Sequence, residues 1–143
     1  MVEVYKMGKT KIKICGLKRP EDIQMVNRLK PDFAGFVFAG SKRKVDKEQA
    51  RKLREALDPE IPAVGVFVNE TIQNVTELCR EKIIQIVQLH GDEDAYYIEE
   101  IRKNLPDIPL IKAVRVQSKE QILEAEKLDV DYLLLDTYVK GQY

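Results

Sequence analysis

The sequence predicts an α/β fold built on a parallel sheet, because short apolar runs alternate with longer amphipathic segments along the chain. Two of the runs, residues 33–39 and 83–89, contain almost no polar residue. Such continuity is typical of parallel strands that helices cover. Six runs enclose five amphipathic segments without a linker or a low-complexity stretch. We therefore expect one domain of repeated β/α units.

The six apolar runs predict the strands, since they are short and rich in β-branched and aromatic residues. Each run ends in a turn residue or a polar residue, and the next amphipathic segment follows. The predicted strands are KIKICG (11–16), DFAGFVFA (32–39), IPAVGVFVN (61–69), IIQIVQLHG (83–91), IPLIKAVRV (108–116) and DYLLLDT (131–137).

The five segments between them predict helices, and three carry a start signal. Pro20, followed by two acidic residues, suits a first helical turn, whereas Asp46 and Ser118 each precede a glutamine by three residues, the capping-box spacing. Apolar residues at helical spacing mark the core-facing side of each helix. These residues are Ile23, Val26 and Leu29; Ala50, Leu53 and Leu57; Ile72, Val75 and Leu78; Ile98, Ile101 and Leu105; and Ile122, Ala125 and Leu128.

Right-handed crossovers between parallel strands leave two architectures open, a doubly wound sheet or a (β/α)8 barrel. A complete barrel usually needs at least about 200 residues. With 143 residues, of which 44% are hydrophobic, the chain can build a core but is too short to close a barrel.

The composition favours a small-molecule partner. Lys and Arg together number 24, as do Asp and Glu, so no basic excess predicts nucleic-acid or anionic-membrane binding. No stretch approaches the roughly 20 apolar residues of a membrane span, and the first residues lack the apolar segment of a secretory signal. We expect a cytoplasmic protein with neither a nucleic-acid nor a membrane partner.

Polar side chains follow the predicted strands, at the edge where ligands bind in parallel α/β folds. They are Cys15, Ser41-Lys42-Arg43, Asn69, His90, Arg115 within KAVRV, and Asp136. Several have an ordinary alternative: Asn69 is equally suited to capping a helix, and His90 to orienting a loop. Lys112 and Arg115 also suit solvated strand ends, and SKRK suits a surface patch.

Asp136 and Cys15 each follow apolar residues at the end of a predicted strand. A carboxylate after the apolar residues 132–135 is costly unless it is wet, paired or functional. Cys15 alone would more often be a small buried residue than a reactive thiol, and Cys79 lies in a helical segment where a small buried residue fits. The two cysteines lack metal-ligand spacing.

Six motifs stand in one order along these strand ends, and together they resemble the phosphoribosylanthranilate isomerase family. They are KICG (13–16), SKR (41–43), VGVFVN (64–69), VQLHG (87–91), KAVRV (112–116) and LLLDT (133–137). The resemblance implies a (β/α)8 barrel of the TIM type. On that basis residues 11–143 hold strands one to six, a barrel truncated after the sixth strand, and residues 1–10 form an N-terminal extension.

The resemblance also implies a reaction and the residues that carry it. The reaction is the Amadori rearrangement of N-(5-phosphoribosyl)anthranilate to 1-(2-carboxyphenylamino)-1-deoxyribulose 5-phosphate in tryptophan biosynthesis, with no metal or organic cofactor. Asp136 would be the general acid and Cys15 the general base. Arg43 would hold the anthranilate carboxylate, and Gln88 and His90 would contact the sugar-phosphate substrate.

This acid and base need their ordinary order of acidity reversed. A carboxylic acid normally ionises at a lower pH than a thiol, so the site must keep Asp136 protonated and Cys15 ionised. The apolar residues 133–135 favour the protonated carboxyl, and nearby cations or helix N termini favour the thiolate.

The family continues beyond its sixth strand with β/α units that bind the substrate phosphate, whereas this sequence ends at DTYVKGQY. We therefore expect the chain alone to be inactive or weakly active, since phosphate binding energy positions the reacting sugar. We also expect open sheet edges, which self-association or a complementing chain would cover. The alternative function is a non-catalytic barrel fragment that serves as a folding or assembly module.

Overall fold

The computed structural model describes residues 10–137, in which six strands alternate with five helices. The predicted extension therefore lies almost wholly outside the described residues. The elements are β1 (Lys13–Cys15), α1 (Pro20–Leu29), β2 (Phe33–Val37), α2 (Lys47–Ala56), β3 (Ala63–Phe67), α3 (Ile72–Arg80), β4 (Ile86–Leu89), α4 (Ala95–Asn104), β5 (Leu110–Val116), α5 (Lys119–Ala125) and β6 (Tyr132–Thr137). No helix within this range is long and apolar enough to cross a membrane.

The strands form one parallel sheet in sequence order, β1-β2-β3-β4-β5-β6. Right-handed crossovers that always advance in one direction place every helix on the same face of the sheet. A doubly wound sheet instead reverses its strand order at a switch point. The order therefore excludes the doubly wound alternative and confirms the barrel-type architecture.

The outer face of the sheet packs against the helices and forms the hydrophobic core. Alternate strand residues point to this face, because side chains in a strand have a period of two. The strand residues in the core are Ala34, Phe36, Ala63, Phe67, Val87, Leu89 and Leu110, and they pack with helix residues such as Ile23, Val26, Ala50, Leu53, Val75, Leu78, Ile98 and Ile101. Most of the predicted helix faces are confirmed.

The inner face is concave. The ammonium of Lys13 on β1 donates a hydrogen bond to Gln88 Oε1 on β4. Two strands separate β1 from β4, and neighbouring strands lie about 4.8 Å apart. The two side chains meet only because the sheet curls toward this face, so the described strands form part of a barrel wall.

The predicted helix starts are confirmed. Pro20 occupies the first turn of α1, and the Asp46 side chain accepts a hydrogen bond of 2.8 Å from the backbone N–H of Gln49. At the start of α5, Gln121 Oε1 accepts from the N–H of Ser118 at 3.3 Å. These bonds satisfy N–H groups that have no partner within the helix.

Leu29 departs from the predicted core face of α1, since it is 64% exposed. Each residue of a helix advances by about 100°, so each three-residue step falls about 60° short of a full turn. Ile23 and Val26 are buried, but the next step carries Leu29 to the flank of the helix. Leu29 is the last residue of α1, the helix that follows the edge strand β1.

The fourth strand begins three residues later than predicted, at Ile86. Lys82 adopts the left-handed conformation with φ of 60°, and the N–H of Ile83 donates to the carbonyl of Leu78 at 3.0 Å. Together with the bond from Lys82 N–H to Cys79 O, this is a Schellman motif that ends α3. Ile83 is buried, but it belongs to the helix end and not to the strand.

Candidate active site

The predicted site residues meet at one rim of the sheet, where the parallel strands end. Cys15 is the last residue of β1, and Arg43 lies in the loop after β2. Gln88 lies in β4, with His90 directly after that strand, and Asp136 lies near the end of β6. The curl of the sheet brings these residues from four strands toward the same concave surface.

At the end of β1, Cys15 and Lys13 share the space above Gly35. A Cβ atom at Gly35 would lie 2.7 Å from Cys15 Sγ and 3.0 Å from Lys13 Cε. The absence of a side chain at Gly35 therefore lets a thiol and a lysine stem lie side by side on the inner face. Burial lowers the pKa of Lys13, and its electrostatic contact with Cys15 partly offsets that shift.

Arg43 reaches across the adjacent loop to the backbone of Cys15. Its Nη1 donates to the Cys15 carbonyl at 3.4 Å, and its guanidinium lies directly over Gly16. The loop is shaped by Ser41, whose Oγ accepts a hydrogen bond of 3.1 Å from the N–H of Arg43. Within residues 10–137 no carboxylate lies at salt-bridge distance from this guanidinium. The guanidinium of Arg43 can therefore form two parallel hydrogen bonds with an anionic ligand.

A chain of polar contacts runs from β4 to β6. Gln88 is 3% exposed, and its Nε2 lies 3.1 Å from Nδ1 of His90. The other ring nitrogen, Nε2 of His90, lies 3.6 Å from Asp136 Oδ2. Burial lowers the pKa of His90, and the charge of Asp136 partly offsets that shift. The imidazole is therefore neutral near pH 7.

Arg115 also belongs to the inner rim. It is the strand partner of Asp136 in the β5–β6 register, so the two side chains leave the sheet on the same face. Its positive charge contributes to the lowered pKa of His90. The other predicted cation, Lys112, points to the opposite face of β5.

Lys112 makes a buried structural contact and does not face the rim. Its ammonium donates to the carbonyl of Gly91 at 2.6 Å and lies 3.3 Å from Glu93 Oε1. Glu93 also accepts from the N–H groups of Asn69 and Gly91, both at 2.8 Å. A buried ion pair of this kind is tolerated because further hydrogen bonds satisfy both charges. The pair ties the loops after β3 and β4 to strand β5.

The helix-cap interpretation of Asn69 is wrong. The cap of α3 is Thr71, whose hydroxyl accepts from the N–H of Asn74 at 3.3 Å. Asn69 has a left-handed backbone with φ of 50°, and its Oδ1 accepts a bond of 2.9 Å from the N–H of Asp92. Its side chain therefore ties the loop after β3 to the loop after β4.

Cys79 is the small buried helix residue that the sequence predicts. It lies within the core, and burial raises the pKa of its thiol to about 12. A thiol with so high a pKa carries almost no thiolate at neutral pH and is unreactive. Cys15, the other cysteine of the described residues, is only partly buried.

The sequence reading missed Lys13 and Glu93. Lys13 lies two residues before Cys15, and that spacing alone places both on one face of β1. Lys13 is one of three lysines in KIKICGLK, so its position in the sequence alone does not distinguish it from a solvated surface residue. Glu93 had no local signal, because its partners come from the loop after β3 and from β5.

The rim combines a thiol, a guanidinium, a neutral imidazole and a carboxyl group. Such a set can hold an anionic small molecule and move protons to and from it. No group of three or more potential metal ligands occurs within residues 10–137.

Comparison with known proteins identifies the family. A sequence model described as PRAI, N-(5'phosphoribosyl)anthranilate (PRA) isomerase, matches residues 12–142. This chain belongs to the phosphoribosylanthranilate isomerase family. It is 54% identical over 133 residues to the N-(5'-phosphoribosyl)anthranilate isomerase of Lachnoclostridium phytofermentans, and 50% identical over 133 residues to that of Endomicrobium trichonymphae. The alignments cover 93% of this chain but only 61% and 64% of those relatives.

Solved structures of the family have the same fold. The isomerase of Thermotoga maritima matches with a TM-score of 0.79 at 32% identity, covering 92% of this chain and 63% of that chain. Another isomerase structure, in complex with reduced 1-(o-carboxyphenylamino)-1-deoxyribulose 5-phosphate, matches with a TM-score of 0.77 at 33% identity, covering 90% of this chain and 65% of that one. The predicted family and barrel type are confirmed.

Proposed function

We propose that the inner rim is the acid–base centre for the Amadori rearrangement of N-(5-phosphoribosyl)anthranilate to 1-(2-carboxyphenylamino)-1-deoxyribulose 5-phosphate. The supporting observation is the convergence of Cys15, Arg43 and Asp136 from three separate strand ends on one concave surface. A relative with the same fold was solved with the reduced form of this product. The reaction belongs to tryptophan biosynthesis and needs no metal or organic cofactor.

In the first step, Asp136 gives its proton to the ribose ring oxygen. The bond between this oxygen and C1 breaks, and the nitrogen lone pair of the anthranilate forms an iminium with C1. A proton donor is needed because the departing oxygen would otherwise leave as an alkoxide. Asp136 is half exposed at the rim, where a bound sugar can reach it.

In the second step, the Cys15 thiolate removes the C2 proton, and the C–H electrons move to the iminium to form an enolamine. The iminium acidifies this C–H bond enough for a moderately basic thiolate. Tautomerisation then moves the hydroxyl proton of the enolamine to C1 and leaves the ketone. One proton has passed from Asp136 to the product and one from the substrate to Cys15. Exchange with solvent restores both groups for the next turnover.

Arg43 is proposed to hold the anthranilate carboxylate through two parallel hydrogen bonds. Replacement by alanine is expected to raise KM about 10- to 100-fold, since charge-assisted hydrogen bonds contribute about 1.5–3 kcal/mol. Lys42→Ala, in the same loop, is the matched control and should change KM little. Steady-state kinetics in a turnover-competent form checks this, and equal KM values for the two variants would contradict the role. Gln88 and His90 are proposed to contact the sugar.

We propose that the 143-residue chain alone turns over slowly or not at all. The chain spans 61% of the length of the Lachnoclostridium relative, and the remainder of that relative is proposed to hold the substrate phosphate. Binding of a remote phosphate positions the reacting sugar, so its loss lowers kcat as well as affinity.

The loss of substrate fluorescence as the aminoaldose is consumed tests the function. Two proteins are compared: this chain, and a chimera that joins it to the part of the Lachnoclostridium relative beyond the alignment. In the chimera, Cys15→Ala and Asp136→Asn should each abolish most of the turnover, whereas Cys79→Ala should retain it. Unchanged turnover in both rim variants would refute the assignment.

A second candidate function, a non-catalytic assembly module, is favoured by apolar residues at the two edges of the described sheet. Tyr132 and Leu135 on β6 are 56% and 55% exposed, and Leu29, at the end of the helix that follows β1, is 64% exposed. We propose that a second copy or a complementing chain covers these edges. Size-exclusion chromatography with light scattering measures such association. Turnover by the chimera, together with its loss in the rim variants, decides between the two functions, since only the first requires it.

The proposed base also suggests a compartment. A thiol that must be free and ionised persists in a reducing environment, so we propose that the protein acts in the cytoplasm.

A further inference from the structure

We propose that Lys13 is a positioning residue that fixes the orientation of the Gln88 amide and, through it, the tautomer in which His90 presents its Nε2–H to Asp136. The inference rests on the proposed role of Asp136 as the general acid. It concerns residues of β1, β4 and β6 that meet only because the sheet is curled.

The Lys13 ammonium determines which groups donate and which accept in the hydrogen bonds of this network. An ammonium group has three donors and no acceptor, so Gln88 must direct its oxygen toward Lys13. The amide nitrogen of Gln88 therefore points the other way, toward Nδ1 of His90 at 3.1 Å. Since an amide NH₂ can only donate, Nδ1 must accept, and the single proton of the neutral ring resides on Nε2.

The tautomer decides what His90 does to the proposed acid. With hydrogen on Nε2, the ring directs an N–H toward Oδ2 of Asp136 at 3.6 Å, longer than a direct hydrogen bond, and offers the proton of the proposed acid no acceptor. In the opposite tautomer, a bare Nε2 would accept the Asp136 proton and compete with the sugar ring oxygen for it. Lys13 therefore prevents His90 from acting as a base toward the acid.

The positive charges of Arg115 and Lys13 both oppose protonation of His90, whereas an ionised Asp136 would favour it. A protonated Asp136, as the proposed acid, removes that opposing influence and leaves the neutral ring favoured. Burial is the largest influence and lowers the pKa of the ring. A neutral imidazole carries a single N–H. The nitrogen that bears this hydrogen can donate a hydrogen bond, and the other nitrogen can accept one.

The test uses the intact 143-residue chain and nitrogen-15 NMR of the imidazole. His90 is the only histidine in the sequence, so its two ring nitrogens give an unambiguous signal. At a pH where the ring is neutral, the wild type should show a pyridine-like Nδ1 and a protonated Nε2. A wild-type ring protonated mainly on Nδ1 would overturn the proposal.

Two variants should each populate the Nδ1–H tautomer by a different route, and a third should restore the Nε2–H form. Lys13→Met removes the donor, so the Gln88 amide can rotate and the Nδ1–H tautomer should become populated. Gln88→Glu replaces the amide with an acceptor, so Nδ1 should become protonated even where Lys13 is intact. Lys13→Arg restores the donor and should restore the Nε2–H form.

Lys11→Met is the matched control, because Lys11 lies over the ring of Phe33 and takes no part in the network. It should leave the tautomer unchanged. Amide spectra of each variant establish that the fold is retained. A Lys13→Met protein that is folded and keeps the wild-type tautomer contradicts the proposal. Because no turnover is measured, this result is separate from failure of the proposed isomerase activity, which the fluorescence assay reports.

Discussion

At the scale of single residues, the site depends on two glycines that leave space for functional side chains. Gly35 lies under Cys15 and Lys13, and Gly16 lies under Arg43. Gly16 also has a φ of 81°, in the left-handed region that side chains disfavour. The KICG motif thus supplies the thiol and, one residue later, the turn over which the guanidinium lies.

Gly16→Ala is expected to lower the free energy of unfolding by about 1–2 kcal/mol, the cost of placing a residue with a Cβ in the left-handed region. The new Cβ would also lie 2.6 Å from Arg43 Cδ, so the guanidinium must move away. Urea denaturation measures the change. Gly40→Ala is the control, because a Cβ there meets no atom within 4 Å, and it should change stability by less than about 0.5 kcal/mol. Equal effects of the two substitutions would contradict this account.

Individual site residues were predictable to different degrees. Cys15 and Asp136 end apolar runs. Their positions at the rim followed from the strand pattern, because binding sites in parallel α/β folds lie at the C-terminal ends of the strands. Lys112 and Arg115 were indistinguishable as strand-end cations, although the alternation of β5 places them on opposite faces. The burial of Lys112 depends on Glu93, a partner that sequence spacing does not reveal.

At the scale of elements, the loop from β1 into α1 is held by one carboxylate. Asp22 accepts from the backbone N–H groups of Lys18 and Arg19, at 3.1 and 2.9 Å, and pairs with the Arg19 guanidinium at 2.9 Å. The Arg19 guanidinium, followed by these backbone donors, lowers the pKa of Asp22 from 3.8 to about 2. The carboxylate thereby fixes the strand-to-helix turn next to Cys15 and Gly16.

This lowered pKa predicts a specific acid sensitivity. The folded chain binds the proton more weakly than the unfolded chain, so the stabilisation is complete well above pH 3.8 and is lost as the pH falls toward about 2. Asp22→Asn should flatten the dependence of unfolding free energy on pH between about 4 and 2. Urea denaturation at several pH values measures it. Glu21→Gln, one residue earlier, is the control, and a slope that it flattens equally would refute the assignment to Asp22.

The loops after β3 and β4 are tied to strand β5 by the buried pair of Glu93 and Lys112. Lys112→Met should destabilise the fold by about 3–5 kcal/mol, because it leaves a buried carboxylate without its cation. Adding Glu93→Gln should recover part of this loss, since the neutral amide needs no counter-charge. Thermal unfolding of the single and double variants compares them. A double variant that is less stable than Lys112→Met alone would contradict the explanation.

Element types were more predictable than element ends. Five helices followed from apolar spacing and caps such as Asp46, because these signals lie within a few residues of each other. The start of β4 was misplaced, since Ile83 is as apolar as a strand residue but serves a helix end. Its role depends on the left-handed backbone of Lys82, which composition does not indicate.

At the scale of the whole molecule, curvature creates the site. Parallel strands and right-handed crossovers were predictable and left a doubly wound sheet and a barrel open, and only the resemblance of the motifs to a known family favoured the barrel. The strand order and the contact between Lys13 and Gln88 decide the question, and both arise from pairing across distant segments. A flat sheet with the same sequence would keep Cys15 and Asp136 apart.

Apolar side chains are exposed at the edges of the described sheet, and we expect them to drive association of the 143-residue chain. Leu135 is 55% exposed on the outer face of β6, where within residues 10–137 no helix follows to cover it. Leu135→Lys should weaken association about tenfold or more, since burying a leucine contributes about 1.5–3 kcal/mol. Light scattering over a range of protein concentrations measures the association constant.

Tyr96 supplies the matched control for this prediction, because it is 70% exposed on α4 and lies away from both sheet edges. Tyr96→Lys removes a similar exposed apolar group and adds the same charge, so it should leave association unchanged if the edges are responsible. Equal weakening by both substitutions would instead indicate nonspecific association through exposed apolar groups. A wild-type chain that remains monomeric at all concentrations would show that the exposed edge strand, with its unpaired backbone groups, does not recruit a partner.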